Sequence, residues 1–174
     1  MLQNLTSLRL LNICNCPEMV SSTEAFLNSN LKFLAISECQ NMKRPLSEWG
    51  LYTLTSLTHF MICGPFPDVI SFSDDETLLF LPTSLQDLHI INFQNLKSIA
   101  SMGLQSLVSL ETLVLESCPK LGSVVPNEGL PPTLAGLQIK DCPILKKRFM
   151  KDKGKDWHKI AHIPKVVIDE IIQQ

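Results

Sequence analysis

The chain has 174 residues, 45% of them apolar and 18% charged, with a formal net charge of −2. That length is one ordinary domain or one short repeat array, and the near-neutral balance excludes a global basic field of the kind that gathers nucleic acid. No run of about 18 apolar residues is present, so no membrane span is expected, and Met1-Leu2-Gln3-Asn4-Leu5 has neither the positive n-region nor the apolar h-region of a secretory signal.

In chain order, one pattern returns six times: Leu8-x-x-Leu11-x-Ile13-x-x-Cys16, Leu31-x-x-Leu34-x-Ile36-x-x-Cys39, Leu57-x-x-Phe60-x-Ile62-x-x-Pro65, Leu85-x-x-Leu88-x-Ile90-x-x-Phe93, Leu110-x-x-Leu113-x-Leu115-x-x-Cys118 and Leu134-x-x-Leu137-x-Ile139-x-x-Cys142. Its central residues, Leu11 through Leu137, follow one another at steps of 23, 26, 28, 25 and 24 residues. This is the period and pattern of leucine-rich repeats. A triplet such as Leu11-Asn12-Ile13 is predicted to be a short strand, because alternation puts Leu11 and Ile13 on one face and Asn12 on the other. One unit cannot bury that apolar face alone, so neighbours must stack into a parallel sheet with a continuous core.

Two spines are expected in that core. Leu8, Leu31, Leu57, Leu85, Leu110 and Leu134 make the first; Met19, Met42, Leu96, Leu121 and Leu145 make the second, with Val69 standing in where Asp68 breaks it. Between ladders, Gly50-Leu51-x-x-Leu54 matches Gly103-Leu104-x-x-Leu107, and the proline versions at 82–85 and 129–134 argue against a long convex helix. Loops, turns and short helical pieces are expected there, with a bulging surface loop in the longest interval, which holds Pro65-Phe66-Pro67 and Asp74-Asp75-Glu76. Cys16, Cys39, Cys118 and Cys142 occupy one slot of four units, and Cys14 and Cys63 another. Cysteines locked to a repeat read as small buried residues rather than disulfide partners, and without C-x-x-C spacing they do not suggest zinc. A reduced, cytoplasmic protein is expected.

The chemistry-bearing residues receive plain readings. His59 and His89 fall in solvent-facing slots, and His158 and His162 lack the H-E-x-x-H arrangement, so no metal or cofactor is expected and no catalytic residue is assigned. Residues 1–145 carry 7 Lys and Arg against 13 Asp and Glu, while residues 146–174 carry 8 against 4. The cluster Lys146-Lys147-Arg148 in that basic tail is expected to be a solvated cap, with Trp157, Ile160 and Ile163 covering the last repeat, Val166-Val167-Ile168 adding a strand, and nucleic acid not expected.

The Leu-x-x-Leu-x-Ile-x-x-Cys-Pro-x-Leu style of Leu110 to Leu121 and Leu134 to Leu145 resembles the C-terminal repeats of plant intracellular coiled-coil nucleotide-binding leucine-rich-repeat disease-resistance proteins. The segment Gly154-Lys155-Asp156-Trp157-His158-Lys159-Ile160-Ala161-His162-Ile163-Pro164 is similar to the way many of them finish. The likeness covers nearly the whole chain, but the chain holds no Gly-x-x-x-x-Gly-Lys-Ser/Thr phosphate loop. Met1 lies almost on the first ladder, so a piece of a longer receptor, a truncated product or a segment needing a partner is expected.

The predicted fold is therefore an α/β leucine-rich-repeat solenoid: a curved parallel sheet of about six short strands, an irregular convex side, a repeat body over 1–145 and a capping tail over 146–174. The resemblance implies protein–protein recognition in innate immunity, with a pathogen effector or the upstream nucleotide-binding module as partner. The candidate contact residues are the solvent-facing ones around the strands: Arg9 and Asn12; Lys32 and Phe33; His59 and Met61; Asp87 and His89; Glu111 and Glu116; Gln138 and Lys140. A substrate adaptor of a ubiquitin ligase is the rival reading, since fold does not fix function.

Overall fold

The computed structural model describes residues 7–16, 30–39, 49–72, 81–99, 101–124 and 130–173. Its strands are β1 Leu10–Cys14, β2 Phe33–Ser37, β3 His59–Cys63, β4 Ser71–Phe72, β5 Asp87–Ile91, β6 Ser98–Ile99, β7 Thr112–Glu116, β8 Gly136–Lys140, β9 Lys165–Ile168 and β10 Ile171–Ile172; its α-helices are α1 Ser101–Gln105 and α2 Pro143–Phe149. The main sheet runs β1-β2-β3-β5-β7-β8-β9-β10. Leu11 pairs with Leu34, and the register then passes through Phe60, Leu88, Leu113 and Leu137 to Val166, every step parallel. The sequence period is thus the spacing from one strand to its neighbour. This is a mostly parallel sheet with few helices, an α/β leucine-rich-repeat-like fold.

Eight strands form this sheet where about six were expected from the repeats: β9 is the strand that Val166-Val167-Ile168 was expected to add, and β10 was not foreseen. Val166 and Ile168 continue the inward rows, exposed by 0% and 2%, so β9 buries the apolar edge of β8. The chain then turns at Asp169 and Glu170, both with positive φ, and β10 pairs antiparallel with β9. Two successive left-handed residues are the geometry of a tight two-residue hairpin.

The core is one cluster running from Leu31 to Ile168, with Leu8, Leu11 and Ile13 packed against its β1 end. Leu31, Leu57, Leu85, Leu110 and Leu134 form the first spine, all 2% exposed or less, and Leu96, Leu121 and Leu145 form the second at 0%. Burying each such side chain stabilises by about 1.5–3 kcal/mol. Asp68 is exposed and Val69 packs against the core beside it. Met19 and Met42 lie outside the described residues.

The cysteine slot has a physical explanation. Asn15, Glu38, Asn92, Ser117, Asp141 and Asp169 each follow a strand with φ between 45° and 60°. After Glu38, Asn92, Ser117 and Asp141 this left-handed step turns the chain inward, and the next residue, Cys39, Phe93, Cys118 or Cys142, is buried. Where a cysteine follows the step, its thiol donates a weak hydrogen bond to the carbonyl two residues back: Cys16 at 3.4 Å, Cys39 at 3.2 Å, Cys118 and Cys142 at 3.3 Å. All six cysteines are free; Cys39, Cys118 and Cys142 are buried, whereas Cys14 and Cys16 are exposed on the outermost strand.

On the other side of the units, the described helices are short, as expected: a 3-10 turn at Leu51–Thr53 and the five residues of α1. A second small ladder was not foreseen; β4 pairs with β6, and Ser98 bridges to Ser123. Within the interval expected to bulge, Pro67, Asp68 and Ile70 are exposed, but Phe66 turns inward. Phe66 is 6% exposed, stacks on Phe93 at 5.2 Å between ring centroids, and Phe72 meets Phe93 edge-on at 5.4 Å. Aromatic burial draws the start of that interval onto the core. Asp74-Asp75-Glu76 lies outside the described residues.

The tail closes over the last repeat. Arg148 donates from Nε to Asp156 Oδ2 at 2.5 Å and from Nη1 to the Gly122 carbonyl, while Lys159 lies 3.8 Å from the other Asp156 oxygen. Asp156 is only 7% exposed. A Cβ at Gly154 would overlap the Arg148 carbonyl, so glycine is required for that close approach. Phe149, Ile160 and Ile163 are buried beneath, and Trp157 packs partly on the core. Among the described residues no helix is long and apolar enough to cross a membrane.

Candidate functional site

The exposed face of the sheet is built by the outward residues of each strand. One row reads Leu10, Phe33, His59, Asp87, Thr112, Gly136; the next reads Asn12, Ala35, Met61, His89, Val114, Gln138; a third ends in Glu116 and Lys140. Ala35 and Val114 point outward but are buried, at 0% and 7% exposure, as small residues between larger row neighbours. Arg9, Lys32 and Glu111 stand one residue before β1, β2 and β7, all exposed. Their carbonyls hold the register: Arg9 accepts from the Lys32 and Phe33 N–H groups, Lys32 from Thr58 and His59, and Glu111 from Ala135 and Gly136.

The structure brings Phe33, His59, Met61, Asp87 and His89 around one shallow hollow of about 170 Å³, completed by Phe60. The rings of Phe33 and His59 lie 6.2 Å apart, tilted by 33°. His59 Nε2 lies 3.0 Å from Asp87 Oδ2, and His59 Nδ1 lies 2.8 Å from the Thr58 hydroxyl. With Nε2 donating to the carboxylate, Nδ1 and the Lys32 carbonyl share the single Thr58 hydroxyl hydrogen, so both edges of the imidazole are engaged. Burial pushes the His89 imidazole below its ordinary pKa, against the pull of the Asp87 charge. His89 is thus a neutral polar wall at pH 7.

Carboxylate, imidazole and hydroxyl in this order have the connectivity of a hydrolytic triad. The local donors are committed elsewhere, however. The Thr58 and His59 N–H groups both donate to the Lys32 carbonyl, and the Thr58 hydroxyl is also 3.1 Å from that oxygen. What the arrangement achieves is a fixed ring orientation in an apolar hollow. Among the described residues no group of three His, Cys, Asp or Glu side chains is placed to hold a metal ion.

The remaining candidates lie away from the hollow. Glu116 meets Lys140 at 3.5 Å, and Lys140 reaches Glu170 at 4.0 Å. Asn12 and Gln138 are exposed on β1 and β8. The coupling of His59 to Asp87 was open to sequence reasoning, because both residues precede the central ladder residue in consecutive units. In the basic tail, Lys146 pairs with Asp169 at 2.7 Å and Arg148 with Asp156, leaving Lys147, Lys151, Lys153 and Lys155 exposed.

Over 141 residues, 81% of its length, the chain is 36% identical to a protein of Arabidopsis thaliana described as "Putative disease resistance protein", of which the match spans 9%. The chain therefore covers about a tenth of that relative. The similarity supports a plant disease-resistance family. No family model matches the chain, and no solved structure matches it.

Proposed function

We propose that this chain is a C-terminal leucine-rich-repeat region of a plant intracellular coiled-coil nucleotide-binding disease-resistance receptor, and that its exposed sheet face recognises a protein. The single observation that carries the reading is the hollow over β3. It gathers candidate residues from three successive units around an apolar depression with a tied imidazole, on a scaffold whose core is complete without them. Aromatic residues and methionine are enriched at the cores of protein–protein interfaces relative to the rest of the surface. The partner is a pathogen effector, or the nucleotide-binding module of the same receptor held inactive in cis. The face binds and performs no catalytic step. The tail serves as a cap and not as a nucleic-acid arm, since Lys146 and Arg148 are engaged within the fold.

The test is co-precipitation of the chain with the receptor's nucleotide-binding module and with candidate effectors. His59→Ala combined with Met61→Ala should weaken the contact while leaving the melting curve in place, because neither side chain enters the core. Loss of binding only in variants that also lose fold would refute the assignment to this face.

A further inference from the structure

Resting on the reading that this face recognises a protein, we infer that it takes an extended polypeptide segment crossing the strands, with an acidic, a large apolar and a basic residue at alternate positions. The apolar side chain enters the hollow. Its volume of about 170 Å³ is that of one large side chain; an apolar cavity of about 150 Å³ accepts benzene. Phe33 and Met61 supply apolar walls, and the bonds from Thr58 and Asp87 to His59 hold the ring in place before anything binds. Such preorganisation removes part of the ordering cost of association.

Charge sets the two flanks. Arg9 and Lys32 are exposed on the β1–β2 side and, among the described residues, make no ion pair. Glu111 is exposed in the same way just before β7, one residue before Thr112, which pairs with Asp87, whose ion partner among the described residues is His59. Glu116 and Lys140 satisfy each other and leave little to a partner. The hollow therefore has a free cationic flank and a free anionic flank. Lys32 leads into β2 and Glu111 into β7, three strand spacings apart, or about 14 Å. An extended chain places residues i, i+2 and i+4 on one side over about 13 Å. Measured across the strands, the spacing of charge, hollow and charge thus matches one face of a five-residue extended segment, with Lys32 and Glu111 one residue toward the strand starts from the Phe33, His59 and Asp87 row. The acidic residue sits over Lys32 and Arg9, and the basic one over Glu111 and Asp87.

The test titrates the full, isotopically labelled chain with Gly-Ser-flanked peptides whose cores are Glu-Ser-Phe-Ser-Lys, Glu-Ser-Phe-Ser-Glu, Lys-Ser-Phe-Ser-Lys and Glu-Ser-Ala-Ser-Lys. The mixed-charge core should bind about fivefold tighter than either single-sign core, and shifts should centre on Phe33, His59 and Met61. The alanine core should not bind measurably. Glu111→Lys, a change on an exposed rim, should move the preference to the doubly acidic core. A mixed core no better than the others, a ranking unmoved by Glu111→Lys, or no binding by any peptide at millimolar concentration overturns the inference. Should those results come with partner capture that still depends on His59 and Met61, the charge pattern is wrong and protein recognition by this face stands.

Discussion

Removing the buried Asp156 carboxylate should loosen the end of the molecule. Asp156 accepts from Arg148 at 2.5 Å with its side chain only 10% exposed, and Arg148, 29% exposed, also holds the Gly122 carbonyl of the preceding repeat. Breaking a buried ion pair by deleting one partner costs about 3–5 kcal/mol, because the other charge is left uncompensated. Here the guanidinium keeps some water and its carbonyl acceptor, which places Asp156→Ala at about 2–3 kcal/mol. Arg148→Ala should cost about the same, since it loses both bonds while Lys159 still partners the carboxylate at 3.8 Å. The double variant should cost less than the two together, with a coupling of about 1–2 kcal/mol. Urea midpoints at neutral pH measure all three, and a thermal shift of about 4–12 °C should accompany each single variant. Two single variants within about 0.5 kcal/mol of the parent, or strict additivity, would refute the view that this clasp fastens the tail to the repeats.

Three further outcomes follow from the same structure. Leu113→Ala, at a residue 0% exposed, should cost about 2–5 kcal/mol, whereas Glu116→Ala, on the outward row, should stay within about 0.5 kcal/mol; equal losses in urea would overturn the inward and outward assignment. Burial holds His89 below its ordinary pKa, so the unfolded chain takes up a proton first: this stability is present above about pH 6.5 and is lost as pH falls toward the depressed native value. Burial pushes Asp156 up, but the Arg148 hydrogen bond and the Arg148, Lys159 and Lys155 charges outweigh it and leave it below the carboxylate range, so its contribution is present above about pH 4 and fails below. His89→Gln should therefore flatten the stability profile just below about pH 6.5 without touching the acid limb, and an unchanged slope there would count against the assignment. Denatured without reductant, the chain should show six reactive thiols; folded, Cys14 and Cys16 should react first, since burial raises the Cys39 and Cys63 thiols and the Cys118 hydrogen bond together with burial raises Cys142.

The ladder made the repeat stack legible in the sequence alone. Alternation within Leu11-Asn12-Ile13 decides which side chains face in, and the 23-to-28-residue steps decide which strands are neighbours; both signals are periodic, and the register of Leu11, Leu34, Phe60, Leu88, Leu113 and Leu137 follows them residue for residue. The row that sets His59 beside Asp87 was readable for the same reason. The tertiary structure alone decided what has no period. The grip of Arg148 on both Asp156 and Gly122 joins two isolated residues to the turn of an earlier repeat, and no pattern marks such a pair. Phe66 looked like part of a proline-rich loop until Phe93, from the next unit, gave it a ring to stack on. Val166-Val167-Ile168 was readable as a closing strand on β8, but its return through Asp169 and Glu170 into the antiparallel β10 was not, since no repeat marks that turn. Local repetition is written in spacing, whereas closure of an end depends on which surfaces are left bare once the repeats have stacked.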